Sequence, residues 1–124
     1  MVAAVCGDSM IWKPSLLAPL TAIASNQIAD RVATAAGHPG VFQVVIGADA
    51  IVGERMIADG RLPLISATGS CRMGKRVGQV VAGRFGRCLL ELGGNNAVIV
   101  NRDADVNLAV RAVVFAAVGT AGQR

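Results

Sequence analysis

The 124-residue sequence contains no tyrosine, one tryptophan and three phenylalanines, and only 16% of its residues are charged while 53% are hydrophobic. A core therefore has to come from Val, Ile, Leu and Ala rather than from rings, which suits strands covered on both faces by helices. The single His38, with three cysteines at Cys6, Cys71 and Cys88 that lack ligand spacing, makes a metal site unexpected. No apolar run reaches the roughly 18 residues that span a bilayer, because Lys13, Asp30 and Arg111 interrupt the candidates. The first residues, MVAAVCGDSM, have no basic stretch and reach Asp8 at once, unlike a signal peptide. These absences predict a cytoplasmic protein with reduced cysteines and no membrane partner. The net charge is +4, and its densest cluster, Arg72, Lys75 and Arg76, shares one helical face. Without interleaved aromatics it reads as a solvated face, and no nucleic-acid partner is expected.

Short apolar runs alternate with longer periodic ones, as in a parallel α/β sheet. The pattern predicts strands near 9–13, 42–47, 63–67, 87–92 and 97–101, and helices near 17–36, 50–58 and 71–84. Pro19 is tolerated in a first turn, and Gly37 is placed to end that first long helix. A last helix follows Asp103 as N-cap, with Val106, Val110, Val113, Val114 and Ala117 forming its apolar stripe and Gly119 ending it. One domain spanning 1–124 is expected.

Glycines gather where strands hand over to helices, in IGADAIVG (46–53) and ATGSCRMG (67–74). Such turns let backbone N–H groups approach a phosphate at a helix N-terminus. The run GSCRMGKR nearly matches a phosphate loop, but Arg76 stands where a Mg²⁺-binding Ser or Thr belongs, so ATP hydrolysis is not expected. Cys71 at the same helix start reads as a small residue in a tight turn, with activation by the helix dipole as the alternative. LLELGGNN (89–96) sets Glu91 within a run that reads as a buried strand, directly before two glycines. A carboxylate kept in such a place has a partner or a task.

The order WKPS, G-x-x-x-x-x-G, TGS-x-x-x-G, LELGG-N, DAD and GTAGQR resembles the cofactor-binding core of the aldehyde dehydrogenase superfamily across essentially the whole chain. LLELGGNNAVIV and LAVRAVVFAAVGTAGQR are most similar to its α-aminoadipic semialdehyde (piperideine-6-carboxylate) dehydrogenase branch. The resemblance implies an α/β, Rossmann-like parallel sheet with helices on both faces, and NAD or NADP as cofactor. It implies that Lys13 holds the adenosine ribose hydroxyls, that Pro14 and Ser15 shape that pocket, and that Gly53 leaves room for the adenine. Ser70 would contact the pyrophosphate, Thr68 and Gly69 would lie near the nicotinamide, and Met73 would cover the adenine. Glu91 would be the general base for the catalytic cysteine or the hydrolytic water, with Leu92 and Gly93 bordering the nicotinamide. A carboxylate in a partly apolar pocket holds a proton more readily, which suits a base working near neutral pH.

The whole enzyme would oxidise an aldehyde, α-aminoadipic semialdehyde being one candidate, to its acid, and would form homo-oligomers. Several positions depart from the family pattern. Leu16 stands where many members carry a glutamate that binds the ribose and disfavours a 2′-phosphate, and Ala67 replaces a customary Phe. The family's oxyanion asparagine would lie upstream of Met1 and its later motifs downstream of Arg124. The nucleophilic cysteine customarily follows GQR, so these 124 residues alone are expected to oxidise no aldehyde. The alternative is a non-catalytic nucleotide-binding or self-associating module.

Overall fold

The computed structural model describes residues 2–94 and 96–119, and they fall into two compact units that meet in sequence between Glu91 and Leu92. The first unit opens with α1 (Val2–Val5), β1 (Met10–Trp12), α2 (Pro19–Ala35) and β2 (Phe42–Val44). A π-helical turn over Asp49–Gly53 then runs directly into α3 (Glu54–Ala58). β3 (Leu64–Gly69), α4 (Cys71–Gly83) and β4 (Arg87–Leu92) follow, the last crossing into the second unit by one residue. The class is α/β.

β1 and β2 are parallel, with Met10 opposite Phe42 and Trp12 opposite Val44. The seventeen-residue α2 makes the crossover that parallel strands require, and it packs on β2 with Ala22 buried. Pro19 stands in its first turn, as its missing N–H allows. At the other end Gly37 takes φ +88°, so that its N–H reaches Thr34 O at 3.0 Å and His38 N–H reaches Ala33 O at 2.8 Å. That left-handed turn satisfies two orphan carbonyls.

β3 pairs with β4, and α4 packs against β3 and α3. Val77 and Val81, one turn apart on α4, meet Ile57 of α3 and Ile65 of β3 in the core, flanked by Leu62, Ala67, Met73, Val80 and Leu90. Burying a side chain such as Val81, which is wholly inaccessible, stabilises by on the order of 1.5–3 kcal/mol. Arg84, just past α4, closes this unit: its Nε donates to Ile57 O and its NH2 to Leu62 O, both at 2.7 Å. These charge-assisted bonds satisfy carbonyls at the end of α3 and beyond it.

In the second unit α5 (Val106–Val118) is capped by Asp105, whose carboxylate accepts from Leu108 N–H at 3.0 Å. The expected cap, Asp103, lies instead in the turn in which Ala104 N–H bonds Asn101 O. The expected fifth strand at 97–101 also does not form. A strand exists through bonds to a neighbour, and the described residues offer two separate pairs, β1–β2 and β3–β4, neither of which takes up this segment. Val98, Ile99 and Val100 are accordingly exposed. Among the described residues no helix is long and apolar enough to cross a membrane.

Candidate functional site

Lys13 leaves the end of β1 with its side chain only 13% exposed, and its Nζ is held by the Asp49 carboxylate and by Pro14 O at 3.1 Å. Asp49 opens the π-helical turn, four residues before Gly53. A Cβ placed on Gly53 would stand 3.6 Å from Asp49 Cβ and 3.7 Å from Lys13 Cε, so this glycine leaves open a cradle bordered by both charges. Pro14 is buried beneath, and the Ser15 hydroxyl accepts from Leu17 N–H at 3.2 Å. Gly47, at the start of the same loop, is required for another reason: a Cβ there would fall 2.2 Å from Val52 Cγ2.

The loop is tied to the next helix. Glu54, directly after Gly53, takes a two-pronged ion pair from Arg76 of α4, with NH2 to Oε2 at 2.8 Å and Nε to Oε1 at 3.1 Å. Hydrogen bonds from Arg76 hold the Glu54 carboxyl below the usual carboxylate range. The basic cluster read as a solvated face thus has one member committed to fixing α4 beside α3, while Arg72 and Lys75 stay exposed.

Thr68 and Gly69 end β3 and are exposed there. Ser70 caps α4, its hydroxyl oxygen accepting from Met73 N–H at 3.2 Å, and the hydroxyl can still donate its own proton. The Met73 methyl lies over Gly69, where a Cβ would meet its Cε at 2.7 Å. Cys71 is the first helical residue. A small-residue turn, a helix N-terminus and an uncovered donor together fit a phosphate. Within the first unit, then, the Lys13, Asp49 and Gly53 cluster and the N-terminus of α4 are joined through the Glu54–Arg76 pair. These residues fit a dinucleotide: a cation and an acceptor for ribose hydroxyls, a bare glycine for a flat ring, and a capped helix start for phosphate.

Glu91 departs from expectation. It is the penultimate residue of β4 and is exposed rather than buried. Side chains alternate across a strand, and α4 covers the face that carries Leu90, which leaves Leu89 and Glu91 on the other, uncovered face. Leu92 and Gly93 belong to the second unit and are exposed. Asn95 and the residues after Gly119, which carry most of GTAGQR, lie outside the described residues. An open cleft of 660 Å³, bordered by Ile11, Val45, Val52, Arg55 and Met56, contains none of the residues singled out from the sequence. Sequence reasoning missed Asp49, although it is the one acid within the glycine loop 47–53.

The aldehyde dehydrogenase family model matches residues 1–124. The chain belongs to the aldehyde dehydrogenase family. Among relatives in that family, aldehyde dehydrogenase family 7 member A1 of Malus domestica is 48% identical over 123 residues, covering 99% of this chain and 24% of its own length. The alpha-aminoadipic semialdehyde dehydrogenase of Bos taurus is 44% identical over 123 residues, with 99% and 23% covered. Aldehyde dehydrogenase C of Pseudomonas syringae, solved with NAD⁺ and octanal, superposes with a TM-score of 0.79 at 40% identity over 94% of this chain and 23% of that one. Glyceraldehyde-3-phosphate dehydrogenase of Methanocaldococcus jannaschii, solved with NADP, also gives a TM-score of 0.79, at 33% identity over 86% and 23%. The chain therefore spans about a quarter of the length of the curated relatives it matches. Family members of this fold thus bind either nicotinamide dinucleotide.

Proposed function

We propose that this chain forms the NAD(P)⁺-binding core of an aldehyde dehydrogenase that converts an aldehyde to its carboxylic acid. The observation that carries this reading is Lys13, nearly buried at the end of a parallel strand yet directed to an open cradle over Gly53. Lys13 donates to ribose hydroxyls, Gly53 admits the adenine, and Ser70 with the first N–H groups of α4 receives the pyrophosphate. Thr68 and Gly69 border the nicotinamide end, and Pro14 and Ser15 fix the loop that carries Lys13. The bound dinucleotide supplies the hydride acceptor. Glu91 takes the proton from the attacking thiol or water, and its carboxylate, exposed near the end of β4, is accessible for that transfer.

Similarity to the α-aminoadipic semialdehyde dehydrogenases supports a semialdehyde substrate that carries charge remote from the reacting carbon. Three exposed cysteines that form no disulfide, Cys6, Cys71 and Cys88, support a reducing compartment such as the cytoplasm. The apolar surface on α5 supports a homo-oligomer.

Calorimetric titration of the chain with NAD⁺ tests the assignment. Lys13→Ala weakens binding by about 1–2 kcal/mol through lost charge-assisted hydrogen bonds. Unchanged affinity would remove Lys13 from the site.

A further inference from the structure

We propose that Asp49 sets the coenzyme preference of this site, favouring NAD⁺ and rejecting the 2′-phosphate of NADP⁺, an inference that rests on the ribose-binding role given to Lys13 above. Two of the three donors on the Lys13 ammonium already serve Asp49 and Pro14 O, which leaves one for a ligand hydroxyl. The Asp49 side chain is 91% exposed, so the lone pairs not used by Lys13 are open to a ligand. Both side chains border the space a Cβ on Gly53 would fill, and anything resting on that glycine touches the pair. A ribose bearing two hydroxyls satisfies it fully: it accepts from the ammonium and donates to the carboxylate.

A phosphate ester at the 2′ position changes both terms. It donates no such proton, and it brings between one and two negative charges against a carboxylate within contact range. Lys13 by itself would welcome that charge, but it is already matched by Asp49. The next charged groups along the loop and on the facing helix, Glu54 and Arg76, neutralise each other. Leu16, three residues beyond Lys13, is exposed and offers neither a donor nor an acceptor from its side chain. The carboxylate that reads the ribose thus comes from the glycine loop rather than from the segment after β1. Acidic recognition of a free 2′-hydroxyl is the usual means of selecting NAD in dinucleotide folds.

Calorimetric titration of the chain with NAD⁺ and, separately, NADP⁺ provides the test. The expected preference for NAD⁺ is about tenfold or more at low ionic strength, and it shrinks as salt is added because Asp49 is open to solvent. Asp49→Asn brings the two affinities to within about threefold by raising that for NADP⁺, whereas Asp49→Glu keeps the preference. Both variants keep an oxygen that accepts from Lys13, and circular dichroism verifies that each is folded before it is titrated. Equal affinities in the parent chain, tighter NADP⁺ binding, or an unchanged ratio in Asp49→Asn would overturn the role of Asp49 while leaving the Lys13 site intact. Binding of neither dinucleotide would overturn the cofactor site itself, and this inference with it.

Discussion

Phe85 combines two features that oppose stability: its φ is +59° and its ring is 99% exposed. It occupies the turn that ends α4, where its N–H bonds Ala82 O at 3.0 Å and Gly86 N–H bonds Val81 O at 2.9 Å. That geometry favours glycine, because a Cβ in the left-handed region crowds the following carbonyl by roughly 1–2 kcal/mol. Phe85→Gly should therefore raise stability by about 1 kcal/mol after allowing for the greater freedom of glycine in the unfolded chain. Urea unfolding at constant slope measures it, and a lower midpoint would mean that the ring has a contact in solution. At Gly47 the requirement is reversed, since Val52 already fills the space a side chain would need.

Elements in the first unit are coupled by polar side chains as much as by the small aliphatic core. Arg84 fastens α4 to the end of α3, and the Glu54–Arg76 pair fastens its beginning. Because hydrogen bonds from Arg76 lower the folded-state titration of Glu54, the pair's contribution is present above the ordinary glutamate range and disappears as pH falls through the lowered value. Glu54→Gln should consequently unfold at lower denaturant concentration than the parent at pH 7, and the two midpoints should draw together as the pH falls through the lowered titration of Glu54. A difference that did not shrink at all with acidification would assign the effect to packing instead. The exposed setting keeps the expected separation small.

At the scale of the whole molecule the governing fact is how little the described residues enclose. Among them the buried hydrophobic residues are Ala22, Ile57, Ile65, Val77 and Val81, while α5 has none. Val106, Leu108, Val110, Val113 and Val114 all stand more than two-fifths exposed on that helix. Exposed apolar surface of this kind favours association. Sedimentation should show species heavier than the 12.7 kDa monomer, increasing with concentration, and the double substitution Val110→Lys with Val113→Lys should shift them toward monomer. An invariant monomer across the concentration range would count against the proposed homo-oligomer.

Much of this was legible in the residues. RCLLEL marks β4 from Arg87 to Leu92, GSCRMGKR marks a helix begun by Ser70, and Gly37 ends α2, because caps, turns and apolar periodicity act over neighbouring residues. The ordered motifs likewise carried the family. Tertiary contacts alone determined the rest. AVIVN has every local property of a strand but no paired neighbour among the described residues, and Glu91 looked buried until the helix covering β4 proved to lie on its other face. Lys13 meets Asp49 across 36 positions of sequence, a pairing set by where β1 and the π-helical turn come to rest. Hydrogen bonds within a helix or turn join residues a few places apart, whereas strand pairing, burial and ion pairs depend on segments that meet only after the chain has folded.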